Sequence, residues 1–212
     1  MKKKIRISII PIILIIIAII IIIVLINKNQ KKGNEQLLQE EYNKLNSMQS
    51  YQFTKEKDSK NKTIVVKDGD NTAIDSYSDG MHTTTIIKDN KTYYIIHDKE
   101  EYYIYNSTNI ENSIVIDWIK DVKDKEHTSG EEKVRGRKLK YEEYTGATMF
   151  SETTSLDIDE SKTRTRFYFD NSKDLVYIKT IYENGTEELQ KIEITQEINS
   201  KLFEIPATYA EN

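Results

Sequence analysis

The chain has no cysteine among its 212 residues. Disulfide staples, thiolate metal sites and thiol nucleophiles are therefore excluded. So is an N-terminal lipid-bearing cysteine, the usual tether of bacterial surface lipoproteins. Histidine is scarce: His82, His97 and His127 are widely separated, and a metal site drawn from them requires the fold to gather them. Acids are missing from the first 32 residues, which hold seven of the 31 Lys and Arg; the other 24 face all 35 acids, a formal −11. So acidic a remainder argues against nucleic acid, which rewards basic patches, and against adhesion to anionic lipid heads. Nucleotide and hydrolase signatures are missing as well. Gly130 and Gly136 are not followed by Lys-Ser or Lys-Thr, and neither a G-x-S-x-G elbow nor an H-E-x-x-H helix occurs.

What is present begins with an apolar run. Ile7 to Ile26 is twenty residues without a charge, fourteen of them isoleucine. As a helix it spans about 30 Å, a bilayer core. In lipid no other single-span conformation satisfies the backbone, so the modest helix propensity of Ile is overridden. Pro11 falls in the first turns, where a missing N–H costs least. Lys2, Lys3, Lys4 and Arg6 precede the run; Lys28, Lys31 and Lys32 follow it. Positive-inside logic puts residues 1–6 in the cytoplasm and the rest outside. A cleaved signal peptide is the rival, but Val24-Leu25-Ile26-Asn27-Lys28 offers no small-residue cleavage site. The division expected is a cytoplasmic tail over 1–6, a transmembrane helix over 7–26, a linker over 27–36 and an extracytoplasmic β-rich domain over 37–212.

Leu38, Tyr42, Leu45 and Met48 recur near helical spacing, with Asn34 as a candidate N-cap. From Tyr51 the period changes to two. Strands are expected near 51–57, 62–67, 72–78, 81–88, 91–97 and 101–105. The turns between them are Lys67-Asp68-Gly69-Asp70, Asp79-Gly80, Asp89-Asn90 and Asp98-Lys99, residues suited to hairpins. Short successive turns mean an antiparallel meander. Thr108-Asn109-Ile110-Glu111 has the capping-box pattern. Ile110, Ile114, Trp118 and Val122 then step by four, although Ile114-Val115-Ile116 also suits a strand. Strands resume at 126–134, 136–146, 163–170, 174–182 and 187–196, and Ile198 to Phe203 suits one helical turn before Pro206. The fold expected is mainly β (α+β): a curved antiparallel sheet or half-barrel of about eleven strands with one or two covering helices, preceded by the transmembrane helix.

Two strands do not alternate. Tyr93-Tyr94-Ile95-Ile96 and Tyr102-Tyr103-Ile104-Tyr105 place bulky groups on both faces, so both faces are covered by something. Lys138-Leu139-Lys140-Tyr141 alternates cleanly. A curved sheet with a concave face over a helix or ligand, and a convex face largely solvated, fits both patterns.

Gly136–Tyr144, Arg166–Asp170 with Leu175–Ile178, and Leu202–Tyr209 are three stretches that together resemble the LolA/LppX-like superfamily of lipid and lipoprotein carriers, which includes Gram-positive surface lipoproteins. Gly136-Arg137-Lys138-Leu139-Lys140-Tyr141-Glu142-Glu143-Tyr144 is similar to the strand after that fold's inserted helix. Arg166-Phe167-Tyr168-Phe169-Asp170 with Leu175-Val176-Tyr177-Ile178 is similar to its late hairpin, and Leu202-Phe203-Glu204-Ile205-Pro206-Ala207-Thr208-Tyr209 to its ending. The resemblance implies a half-barrel of antiparallel strands with helices over a concave apolar cavity; members of that superfamily carry acyl chains or lipoproteins, or have no known ligand. The chain departs from the lipoprotein members in lacking their cysteine, so a protein helix replaces the lipid as tether.

The function expected is a membrane-anchored, non-enzymatic binding module. Its concave cavity would be lined by Ile64, Val66, Ile86, Tyr94, Ile96, Tyr103, Tyr105 and Trp118 and would take a lipid, a lipoprotein segment or another apolar ligand. A cell-envelope scaffold with a filled core and a protein partner is the alternative. No cofactor or metal is called for. Asp157-Ile158-Asp159-Glu160-Ser161-Lys162-Thr163 offers alternate oxygens as a calcium loop does, but has Lys162 where the sharp turn needs glycine and Tyr168 where the bidentate glutamate belongs. It reads as an acidic loop. Adjacent acids such as Glu142-Glu143 point to opposite faces of a strand, unlike a glycosidase pair.

Overall fold

A computed structural model describes residues 31–32, 36–106, 114–146 and 160–212. Among these, no helix is long and apolar enough to cross a membrane. The apolar run Ile7–Ile26, the Thr108–Glu111 box and the first three residues of the acidic loop lie outside the described residues.

The protein is mostly β: one curved, unclosed sheet with few helices. Among the described residues it has thirteen strands, in the order β1-β8-β9-β10-β11-β12-β2-β3-β4-β5-β6-β7-β13. Two meanders build it. The first runs β2 (Ser50–Asp58), β3 (Asn61–Asp68), β4 (Asn71–Ser78), β5 (Met81–Lys88), β6 (Lys91–Ile96) and β7 (Glu101–Asn106). The second runs β8 (His127–Val134), β9 (Arg137–Thr145), β10 (Arg164–Phe169), β11 (Leu175–Ile181) and β12 (Glu187–Thr195). They join where β12 pairs with β2, antiparallel, Ile194 opposite Phe53. The chain therefore leaves the sheet at one end, after β7, and re-enters near the other at β8, with a helix in the crossing. Two-residue strands finish the edges: β1 (Lys31–Lys32) pairs with β8, and β13 (Ala210–Glu211) lies parallel to β7.

Each meander strand falls within a residue or so of its expected place, because the turns fix both ends. At the β5–β6 turn Asp89 and Asn90 both take positive φ, 54° and 58°, the left-handed pair a two-residue hairpin requires. The strand ending at His97 instead tightens into a 3-10 turn over His97–Lys99, and the left-handed residue is Glu100, φ 54°. The edge strands β1 and β13 carry no periodic signal because each is only two residues long.

Helices α1 (Leu37–Ser47) and α2 (Ile114–Lys123) lie on one face, here the helix face. Leu38, Leu45, Ile119 and Val122 pack there with Tyr51, Phe53, Val65, Tyr144, Phe167 and Ile178 in the main core. Helix α2 settles the ambiguity at Ile114–Ile116 in favour of helix. The cap position of α1 is Gln36, which makes no side-chain cap; Asn34 lies outside the described residues. The opposite face is not largely solvated. Over β3–β6 it is covered by the C-terminal segment: Ile198, Leu202, Phe203, Ile205 and Tyr209 pack against Val66, Ala73, Ile86 and Ile95. This tail face explains why the non-alternating strands are bulky on both sides.

Candidate functional site

Register decides which candidate lining residues meet. Val66 pairs with Ala73, Ala73 with Ile86 and Ile86 with Tyr93, and partners across a ladder share a face. Ile64, Val66 and Ile86 thus lie on the tail face, where Val66 and Ile86 are fully buried under the C-terminal segment. Tyr94 pairs with Tyr103, and Thr92 with Tyr105. With Ile96, these tyrosines lie on the helix face. The set therefore divides: three residues are core beneath the tail, and four line the other side of the sheet. Trp118 sits on α2, and its side chain lies outside the described residues.

On the helix face the four form an apolar patch that Thr85 separates from Ile74 and the main core. The row Phe53, Val65, Ile74, Thr85, Tyr94, Tyr103 runs across the strands. Phe53 and Val65 are buried in the main core, and Ile74 packs at its margin. Tyr94, Ile96 and Tyr103 are only partly buried, and Tyr105 is 54% exposed.

Elsewhere on this face a buried carboxylate organises the core. Glu142 accepts the backbone N–H groups of Leu37 (2.6 Å) and Leu38 (3.1 Å) and the hydroxyl of Tyr144 (2.8 Å). A strand carboxylate thus caps α1 from 105 residues away, meeting the orphan donors and positive end of the helix. Burial, then the Glu142 charge, pushes the Tyr144 hydroxyl far up. His127 lies beside them, its Nε2 3.8 Å from Glu142. Glu143 points the other way, to Arg166 (2.5 Å) and Arg164 (3.3 Å). There Glu132 also takes Arg166 (2.8 Å), Lys179 (2.7 Å) and the Tyr168 hydroxyl (2.5 Å). Lys179 also meets Glu187 (3.4 Å), so three carboxylates face three cations.

The tail face also gathers two of the three histidines. His82 and His97 stack with centroids 3.7 Å apart and planes 11° from parallel, and Tyr77 stacks on His82 at 4.0 Å. Thr83 pairs with Ile96, so His97 falls where the partner of His82 would stand. A hydrogen-bonded chain links them. The Thr84 hydroxyl donates to Asp75 Oδ1 (2.7 Å), and His82 Nε2 donates to the same oxygen (2.8 Å). With its hydrogen so placed, Thr84 accepts from His97 Nε2 (2.8 Å), and Nδ1 of the neutral ring accepts from the Tyr209 hydroxyl (3.0 Å). Burial, then the neighbouring His82, holds His97 below the usual histidine range. Asp75, His82 and His97 bring one donor atom each to within 4.8 Å of one another, the arrangement among the described residues best suited to hold a metal. The sequence pointed to a histidine site only if the fold gathered the rings, and it did not single out Asp75, although counting register outward from the two-residue turns at Asp79-Gly80 and Asp89-Asn90 places all three on one face.

No family model matches the chain, and no curated protein matches it. Among solved structures, an uncharacterised conserved protein from Thermus thermophilus aligns with a TM-score of 0.48 at 10% identity, over 84% of this chain and 97% of that one. So distant a likeness says nothing about function.

Proposed function

We propose that the protein is a membrane-held, extracytoplasmic, non-enzymatic binding module whose helix-face patch takes an apolar ligand, a lipid acyl chain or a lipoprotein segment. The observation that carries this reading is the cross-strand row Ile74, Thr85, Tyr94 and Tyr103, flanked by Ile96 and Tyr105, which continues the buried core outward while staying partly open. Apolar surface gains about 25 cal/mol per Å² on burial, so a row of tyrosines and isoleucines left half in water favours a guest. The resemblance to LolA/LppX-like carriers supports the same ligand class. The run Ile7–Ile26 supplies the tether and the charges around it the orientation.

The test is photo-labelling of the full chain in membranes with a photoactivatable fatty acid, followed by mapping of the modified peptides. Label is expected on the peptide carrying Tyr94, Tyr103 and Tyr105, reduced in a Tyr94→Asp/Tyr103→Asp variant. Label confined to residues 7–26 would sink the reading.

A second reading, an envelope scaffold with a filled core, draws on one observation. Beneath the helices the sheet is packed solid: Leu38, Leu45, Ile119, Val122, Tyr144, Phe167 and Ile178 are fully buried. The same labelling result decides between them.

A further inference from the structure

The His–Asp group on the tail face lies on the side of the sheet opposite the proposed ligand patch, and nothing in that proposal uses it. Its composition is unusual for a hairpin surface. Two imidazoles and a carboxylate, drawn from β4, β5 and the turn after β6, converge at their donor atoms in a chain with only three histidines. Asp75 is buried and His82 partly exposed.

We propose that Asp75, His82 and His97 bind one divalent transition-metal ion, zinc foremost, through Asp75 Oδ1 and the two histidine Nε2 atoms. The donor set decides the class of ion. Calcium and magnesium take all-oxygen sites, whereas two imidazoles and a carboxylate suit zinc, cobalt, nickel or copper.

Three features fit. The first is spacing. Tetrahedral zinc with bonds of about 2.0–2.1 Å needs donors roughly 3.4 Å apart. The present separations, from 2.8 Å between His82 Nε2 and Asp75 Oδ1 up to 4.8 Å, reach that by shifts on the order of 1 Å. The rings, now 11° from parallel, must also tilt so that their planes converge on the ion at the Nε2 side, which requires His82 to turn out of its stack between Tyr77 and His97.

The second is support for the ligands. A metal-bound histidine normally donates its other ring N–H to an oxygen, which fixes the tautomer. His97 already has that oxygen at Nδ1, the Tyr209 hydroxyl at 3.0 Å. On ligation the ring hydrogen moves from Nε2 to Nδ1 and the Tyr209 hydrogen bond reverses direction, with no heavy atom displaced at that contact. Asp75 is held by the Thr84 hydroxyl, which donates to the coordinating oxygen at 2.7 Å.

The third is access. A shallow groove of about 440 Å³ lined by Ser59, Lys60, Tyr77, Asp79, Met81 and His82 opens onto the exposed side of the cluster. The ion would clip β4 and β5 to the turn after β6 and, through Tyr209, to the C-terminal segment.

The experiment uses the full chain in detergent, free of any polyhistidine tag and stripped with chelator. Zinc binding is measured by competition with a chromophoric indicator, and cobalt serves as a spectroscopic probe. The expected result is one equivalent of zinc per chain and a visible cobalt d–d spectrum of low coordination number. Both should be lost in His82→Gln and His97→Gln and kept in His127→Gln. Tyr209→Phe, which removes the oxygen at Nδ1, should weaken zinc by about tenfold. Zinc should raise the melting temperature of the parent protein but not of His97→Gln, whose own metal-free melt reports whether that variant folds. Binding well below one equivalent in the parent, or unchanged binding in either histidine variant, overturns the proposal.

Discussion

Glu142 shows how much one side chain can carry. It is fully buried, yet both carboxylate oxygens are engaged, by two helix N–H groups and a tyrosine hydroxyl. Removing one partner from such a group leaves the others unsatisfied, which costs more than the bond itself contributed. Glu142→Gln keeps the shape, but one acceptor becomes an N–H donor facing N–H groups. We expect it to lose about 2 kcal/mol of stability in urea titration; a loss below a few tenths would show that α1 is held by packing alone. Glu41 is the contrasting case. Buried on α1, its carboxyl is raised above 4.5, first by burial, with Lys44 opposing and Asp174 adding to the rise. The folded protein thus holds this proton more tightly than the unfolded chain, and stability falls as pH rises from 4.5 through the raised value, the deficit persisting above it. Glu41→Gln should therefore melt higher than the parent near pH 7, with the gain vanishing at pH values below about 4. An equal or lower melt at neutral pH would show that the Lys44 contact outweighs burial.

At the scale of elements, the residues of the C-terminal segment were legible but its placement was not. One helical turn was expected at Ile198–Phe203, and a 3-10 turn spans Ser200–Phe203. That it lies across β4 and β5 could not be read from periodicity, because the contacts join positions more than a hundred apart. The bulky double-faced strands did signal a second cover without naming it. The meanders were legible because hairpin turns and period-two alternation are local, while the cap on α1 was not, because its carboxylate comes from β9. Candidate lining residues failed to converge for a similar reason: bulk alone selected them, and a one-position change in parity moves a strand residue to the other face. The segment's weight can be measured. Phe203 packs on the cluster of Val66, Ala73, Ile86 and Ile95, and being only partly buried its truncation to Ala should cost about 2 kcal/mol, below the range for a fully buried ring. Amides of β5 and β6 should then exchange faster than those of β10 and β11, which the segment does not touch. Uniform acceleration across the sheet would mean that the tail and the sheet unfold as one unit.

Over the whole molecule, the thirteen-strand sheet has two ends with different surroundings. At one, β1 is the pair Lys31–Lys32 laid against Ser129 and Thr128 of β8. Only five positions separate Lys31 from Ile26, a reach of about 18 Å when fully extended. If Ile7–Ile26 spans the bilayer, the β8 end of the sheet is drawn close to the membrane surface, while the β7–β13 end, across a dozen strand spacings of about 4.8 Å, stands further off. The acidic balance of residues 33–212 gives the domain no electrostatic reason to lie flat on anionic lipid, so under the proposed anchoring the tether would set its attitude. The absence of cysteine makes this measurable, since single thiols can be introduced at Glu131 on β8 and Asp98 beyond β6. A fluorophore on Glu131→Cys should be quenched by headgroup spin-labelled lipid markedly more than one on Asp98→Cys. In intact cells both thiols should react with a membrane-impermeant maleimide. Equal quenching at the two sites would detach the domain from the tether geometry. Protection of both thiols until the cells are lysed would place the domain on the cytoplasmic side, and the proposed extracytoplasmic binding role would fall with it.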